Sequence, residues 1–371
     1  MTYIQQMVPA LVEVGAGHEF HVLLSGRSQQ ALIGALPRGA RPLVADIPGE
    51  GILRRLWYEQ VMLRRELRRR RFDLLLTVAD VGMVRAPCPH VAMARNPNIY
   101  APLWSAVGGR HRRMLLAYRL TRQPLAYLTL RAADRVVFVS EAFQQEVLRT
   151  LRLDPRRARI VHHGVAEAFR RDESRAEGVA GVASALGGRA YLLAVSTIAP
   201  HKNYETLIDA FATVTQDDAC RGVDLAIAGG VSYPAVFDAL RERARALGVG
   251  ERIHFLGRVS YEQLPGLYRR ARAFIFPSRL ETFGHPLVEA MASGVPVIAS
   301  SLPVCREICG AAALYFDPAR PQDLADHVIA LLSDAGLRTR LRAGGIARAA
   351  EFSWGHAARA MVGIFEDVAG R

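Results

Sequence analysis

The stretch FIFPSRLETFGHPLVEAMASGVPVIAS, residues 274–300, holds two carboxylates, Glu281 and Glu289, on either side of a Gly-His-Pro segment. Pro286 suits the first position of a helix, because it needs no N–H donor there and its φ is preset. Gly294 suits the stop just beyond the helix end, and Gly284 lets backbone approach a ligand closely. A helix start gathers unpaired N–H groups and partial positive charge, which makes it an anion site. Glu289 falls about one turn into this helix, so its carboxylate can face the same ligand. Carboxylates accept from hydroxyls and repel phosphate. The ligand this spacing suits therefore carries both phosphate and sugar hydroxyls, as a nucleotide sugar does. Glu289 could equally be a carboxylate complementing the helix dipole, and Glu281 a surface loop residue.

A second set of residues lies in STIAPHKNYETLIDAF, residues 196–211. Of the 48 Lys and Arg residues, Lys202 is the only lysine. Where surface charge alone is needed, this chain uses arginine. A lone lysine points to a place that needs a compact ammonium rather than a planar fork. Asn203 is expected to cap the helix that follows. Lys202 would then lie at the carboxyl end of a strand, where ligands bind in open sheets, and could neutralise a leaving diphosphate.

The elements that must position these residues alternate between strand and helix along the whole chain, as in α/β proteins with parallel sheets. In the first half, strands are expected at EFHVLLSG, FDLLLTVA, HVAMARN, DRVVFVS and ARIVHHGV. Helices are expected over about 52–70 and 112–131 and at EAFQQEVLRTL, the last capped by Ser140. A small, polar segment over 170–189 reads as a linker. The rhythm then restarts with YLLAVST and VDLAIAGG, and the expected domains are 1–170, 171–352 and a C-terminal helix over 353–371 packing back on the first. The chain opens on a helical pattern, TYIQQMVPALVE, with no strand and no glycine-rich turn before it. A doubly wound domain normally opens on its central strand, so the chain is expected to begin about 15–20 residues late.

The four cysteines, Cys88, Cys220, Cys305 and Cys309, have no metal-ligand or disulfide spacing. Apolar runs fall short of the ~20 residues a membrane span needs, and the first residues do not read as a signal peptide. The net charge is +13, and all of the excess lies in residues 1–170. Trp57, Leu63 and Leu67 lie among Arg54, Arg55, Arg64, Arg65 and Arg68, as an interfacial helix on anionic lipid would arrange them. A solvated arginine-rich face is the other reading of the same residues.

The C-terminal half resembles the retaining glycosyltransferases of family 4, which have the GT-B fold of two Rossmann-like domains facing across a cleft. The shared features are Glu281-Thr282-Phe283-Gly284-His285-Pro286 through Glu289, the segment Pro200-His201-Lys202-Asn203, and FLGRVSYEQLPGLYRRARAFIFPS at 255–278. The resemblance covers roughly residues 130–360. It implies that the second domain binds a nucleotide-diphosphate sugar with no metal or other cofactor. Lys202 and His201 would meet the diphosphate, Glu281 the transferred sugar, and Glu289 the ribose hydroxyls. The backbone at Phe283, Gly284 and His285 would help hold the sugar and phosphates, and the base would lie near Gly257 and Arg258. The acceptor implied is a glycan or lipid-linked hydroxyl in cell-envelope or exopolysaccharide synthesis. The location implied is the cytoplasm, extending to the inner face of its membrane.

Where many members carry His-Asp near the donor sugar, this chain has Arg95 and Asn96, the acceptor-side candidates. Asn96 before Pro97 is as readily a strand-end turn. Other classes stay open on the residues alone. A GT-B epimerase or sugar-phosphate synthase would share the fold. A nucleic-acid module would use the basic half, but no recognition helix, zinc site or aromatic strand supports it, so no nucleic acid is expected. A dinucleotide oxidoreductase would need G-x-G-x-x-G after its first strand.

Overall fold

The protein is described here from a computed structural model covering residues 2–25, 32–45, 52–101, 108–171 and 188–370. Most of the expected linker, residues 172–187, lies outside the described residues. The chain forms two compact units, one of Met1–Ala101, Arg113–Gly164 and Phe352–Arg371, the other mainly of Val165–Glu351.

The first unit opens on a helix, α1 (Thr2–Val14), followed by β1 (Phe20–Ser25) and β2 (Ala40–Ala45). The helix α2 comprises Ile52–Trp57, a π turn at Tyr58–Met62 and Leu63–Arg70. Then come β3 (Leu75–Thr77), β4 (His90–Ala94), α3 (Pro97–Tyr100), α4 (Gly108–Ala132), β5 (Arg135–Phe138), α5 (Glu141–Leu151) and β6 (Ala158–Ile160). All pairings are parallel, in two separate ladders, β1–β2 and β3–β4–β5–β6. No strand among the described residues joins the two ladders, and Leu23 of β1 stays 38% exposed. By contrast, β4 is buried along its length, as an inner parallel strand should be. Ser140 caps α5 by accepting from the Phe143 N–H at 3.2 Å, and Phe143, Val147 and Leu151 line its buried face.

In α1, Tyr3, Met7, Ala10 and Leu11 are buried. This face meets the C-terminal helix Trp354–Ala369, which belongs to the same unit. The Tyr3 ring packs edge-on to Trp354, 5.7 Å between centroids. Gly164 allows the approach, since a Cβ there would lie 2.2 Å from the Trp354 nitrogen.

The lipid-facing expectation for residues 52–70 is corrected. Leu63 and Leu67 are buried and pack with Met83, Phe72 and Leu75. The apolar side of α2 is occupied by the unit's own core; Trp57 alone of the three stays largely exposed, at 56%.

The second unit contains β7 (Ala190–Val195), α6 (Tyr204–Val214), β8 (Val223–Ala228), α7 (Pro234–Ala246), β9 (Ile253–Gly257), α8 (Leu264–Arg270), β10 (Ala273–Phe276), α9 (His285–Ala292), β11 (Val297–Ser300), α10 (Pro303–Cys309), β12 (Ala313–Phe316), α11 (Pro321–Ser333) and α12 (Ala335–Ala349). Its single parallel sheet has the order β12-β11-β10-β7-β8-β9. This is the doubly wound order, with β7 as first strand and β10 as fourth, side by side where the winding reverses. Inner strands β8, β10 and β11 are fully buried, matching their continuous apolar runs.

Candidate functional site

The loops that leave β7 and β10 emerge together at the reversal point, and the two sequence segments that stood out are these loops. Residues Pro200–Lys202 form one 3-10 turn. Lys202 Nζ donates to Glu281 Oε2 at 2.7 Å, with the two side chains 13% and 15% exposed. The ammonium also lies 5.9 Å from the centroid of the Phe276 ring. The cation and the first carboxylate, 79 residues apart in sequence, thus form one half-buried pair.

Two residues that the sequence reading passed over or misassigned hold the loops in place. Asn203 was expected to cap α6 and does occupy the cap position, but its side chain makes no capping bond. It sits in the left-handed region at φ 57, which Asn tolerates better than most residues. Its side chain turns instead to distant partners, donating to Pro318 O at 2.9 Å and accepting from Arg279 Nε at 2.8 Å. Arg279 N–H in turn donates to His201 O at 2.8 Å. Asn203 and Arg279 therefore fasten the β7 loop to the β10 loop, which sets Lys202 against Glu281.

Helix α9 starts at His285 with Gly284 as its cap. Gly284 is left-handed, φ 82, and a Cβ there would come within 2.8 Å of Leu287 Cδ1. Pro286 falls within the first two helical positions, where no N–H is missed. Phe283 is buried, and its ring meets that of His285 edge-on at 5.3 Å. Gly294 closes the helix at φ 68, donating to Met291 O.

Glu289 is 5% exposed in the middle of α9. Tyr268 of α8 donates its hydroxyl to Glu289 Oε2 at 3.1 Å, and Tyr261 provides a second hydroxyl. Burial raises the Glu289 carboxyl to about 7, while the two tyrosine hydroxyls oppose the shift. The tyrosines fall in the family-like segment 255–278, but nothing in it ties them to Glu289, because they come from a helix and loop upstream rather than from α9 itself.

Around the ends of β8 and β9, glycines allow close packing. A Cβ on Gly229 would lie 1.8 Å from Ser196 O, so this position admits only glycine without backbone movement. Gly229 N–H donates to Gly257 O at 2.7 Å. The exposed Arg258 guanidinium lies beside Gly230, where a Cβ would be 3.7 Å from it.

Within the first unit, Arg95 and Asn96 follow β4. Their backbone N–H groups donate to the buried Asp80 carboxylate at 2.9 and 3.0 Å, and the Tyr100 hydroxyl adds a third bond at 2.8 Å. Burial raises the Asp80 carboxyl above its ordinary range against these three donors. Asn96 Oδ1 accepts from Asn98 N–H at 3.1 Å, a turn-capping role. The Arg95 guanidinium stacks over Tyr3 at 4.4 Å. Asp80, which organises this turn, was not singled out from sequence.

The comparisons agree on both halves. The family model for glycosyl transferases group 1 matches residues 183–348, and that for glycosyltransferase family 4 matches residues 2–169. The O-antigen chain mannosyltransferase B of Escherichia coli is 33% identical over 180 residues, 46% of this chain and 44% of that protein. The chain thus spans less than half the length of this curated relative. A glycosyltransferase from Rickettsia africae superposes with a TM-score of 0.75 at 16% identity, covering 99% of this chain and 95% of that one. Anabaena HepE in complex with UDP-glucose gives 0.73 at 16% identity, covering 98% and 96%. The fold shared with these structures is GT-B.

Proposed function

The chain belongs to glycosyltransferase family 4, the group 1 glycosyl transferases, and we propose that it transfers a hexose from a nucleotide-diphosphate sugar to a hydroxyl of a glycan or lipid-linked acceptor, with retention and without a metal. The observation that carries this reading is the Lys202–Glu281 pair beside the start of α9, at the reversal point of the second sheet.

The chemistry follows from charge. The bond between sugar and diphosphate breaks through an oxocarbenium-like state, as in glycoside hydrolysis. Negative charge then builds on the departing diphosphate, and stabilising it is the main catalytic task. Lys202 and the N–H groups at the start of α9 supply fixed positive charge there. Once the diphosphate draws the ammonium, Glu281 is released to accept from hydroxyls of the transferred sugar. Glu289 accepts from the ribose, held by Tyr268, and the base lies towards Arg258. His201, Phe283 and His285 line the same loops. The acceptor hydroxyl then attacks from the face the diphosphate leaves and passes its proton to an oxygen of the departing phosphate. The stereochemistry rests on the family resemblance.

An anionic membrane surface is part of this proposal, now through α4. That helix leaves Leu116, Leu120 and Leu128 exposed at 44%, 68% and 46%, with exposed Arg112, Arg113, Arg119 and Arg122 around them. Exposed leucines beside arginines offer an anionic surface both apolar and charged contacts. Among the described residues no helix is long and apolar enough to cross a membrane. Cosedimentation with phosphatidylglycerol vesicles tests this, with Leu120→Glu expected to lower binding and an unchanged bound fraction counting against it.

A thermal-shift panel with UDP, GDP, ADP, CMP and buffer tests the donor reading. One diphosphate at about 100 times its Kd should stabilise the chain by roughly 2.7 kcal/mol. A cooperative melt that no nucleotide moves would remove the support for a donor site.

A further inference from the structure

A concave feature lies at the end of the second unit's sheet opposite the Lys202 and Glu281 loops. Lys202 and Gly284 follow the carboxyl ends of β7 and β10. A cavity of about 650 Å3 opens instead at the amino ends, where Ala190 begins β7, Arg272 precedes β10 and Pro296 precedes β11. The six residues of β7 separate the two places by about 20 Å.

Six arginines line this cavity, Arg189, Arg269, Arg270, Arg272, Arg338 and Arg342, and no Asp or Glu lines it among the described residues. The concentration is local, since residues 171–371 carry equal numbers of basic and acidic residues. Three of the six are anchored. Arg338 Nη1 donates to the carbonyls of Leu331 and Leu332 at 2.8 and 2.6 Å. Arg269 Nη2 donates to the carbonyls of Ala168 and Arg171 at 2.7 and 2.5 Å. Arg189 lies 3.6 Å from Asp224. Arg270, Arg272 and Arg342 are exposed and have no carboxylate partner among the described residues.

Guanidinium groups that converge without counter-charge repel one another, and an anion that bridges them removes that cost. The planar fork pairs with phosphate through two parallel bonds, which a halide or a single carboxylate does not satisfy across several arginines. The volume falls within the range of small-molecule sites. We propose that this cavity is a second ligand site, separate from the donor loops, which binds a molecule bearing one or more phosphate groups. The phosphate could belong to a soluble compound or to a lipid headgroup, because the recognition chemistry is the same.

The test uses the full chain carrying Lys202→Ala, which removes the diphosphate contact proposed for the donor. Inorganic pyrophosphate is titrated into this chain by calorimetry, with and without Arg270→Gln, Arg272→Gln and Arg342→Gln together. The parent should bind pyrophosphate in a salt-sensitive manner, and the triple substitution should weaken it at least tenfold. Cosedimentation with phosphatidic acid vesicles is run on the same pair. Loss in the pyrophosphate arm supports the site with a soluble ligand, and loss in the vesicle arm alone supports it with a lipid phosphate. If the substitutions change neither arm, the proposal is overturned. Arg342→Gln alone, expected to weaken binding about threefold, decides the matter should the triple variant fail to melt cooperatively. Because every arm lacks Lys202, the result stands apart from the donor reading.

Discussion

Lys202 and Glu281 are 79 residues apart in the chain and 2.7 Å apart in space. The contact joins the loop after the first strand of the second sheet to the loop after its fourth. It leaves the lone lysine of the sequence already paired, so an anion that takes Lys202 competes with Glu281 for the ammonium. A ligand carrying a diphosphate and sugar hydroxyls satisfies both partners at once.

Lys202→Ala should lower kcat by about 10²–10³-fold, the scale for removing one donor to a developing anion. Lys202→Arg should recover little of it, because the guanidinium fork does not fit a slot where the lysine is 13% exposed. Steady-state kinetics with a nucleotide sugar reads both. Near wild-type turnover of the alanine variant would remove Lys202 from the reaction.

The buried carboxyl of Glu289 gives a pH dependence with a definite sign. Its value is raised from 4.5 to about 7. Its contribution to stability is therefore full below about pH 4.5 and is lost as pH rises through 7, because ionising it costs more folded than unfolded. Across that window the loss is roughly 3 kcal/mol at most. Denaturation of the wild-type chain and of Glu289→Gln from pH 5 to 8 should show the wild type falling relative to the variant. Parallel curves would contradict the burial argument.

Gly284→Ala should destabilise the second unit by about 1–2 kcal/mol, since a left-handed φ is unfavourable for any residue with a Cβ. Gly229→Ala should be worse, because its Cβ would meet the Ser196 carbonyl, which is backbone and cannot swing away. Urea titrations should rank the two in that order. An unchanged midpoint for Gly229→Ala would show that the β7 and β8 ends yield to a methyl group.

Asp80→Asn should cost about 1–3 kcal/mol in the first unit. It keeps one oxygen and places an amide NH2 where the N–H of either Arg95 or Asn96 needs an acceptor. The loss should appear in chemical denaturation and leave nucleotide affinity in the second unit unchanged.

The local parts of the site were legible in the sequence. The start and stop of α9 follow from Pro286 and Gly294, and the cap of α5 from Ser140, because each signal acts within a few residues. The long-range parts were not. Nothing near Asn203 reports that its side chain reaches Pro318 and Arg279, and nothing near Glu289 announces Tyr268. The leucines of α2 show why amphipathicity is ambiguous. Leu63 and Leu67 have the spacing of a lipid-facing stripe and of a core-facing one, and only their burial decides between them. Strand β2 escaped notice because the proline in ARPLVA interrupts the strand pattern.

The most direct measurement is the affinity of the best-binding nucleoside diphosphate for the wild-type chain and for Lys202→Ala, by calorimetry at fixed salt. The pair at the head of the two loops predicts clear binding to the wild type and a loss of at least tenfold, about 1.4 kcal/mol, in the variant. Equal affinity in the two chains would contradict the claim that Lys202 receives the diphosphate.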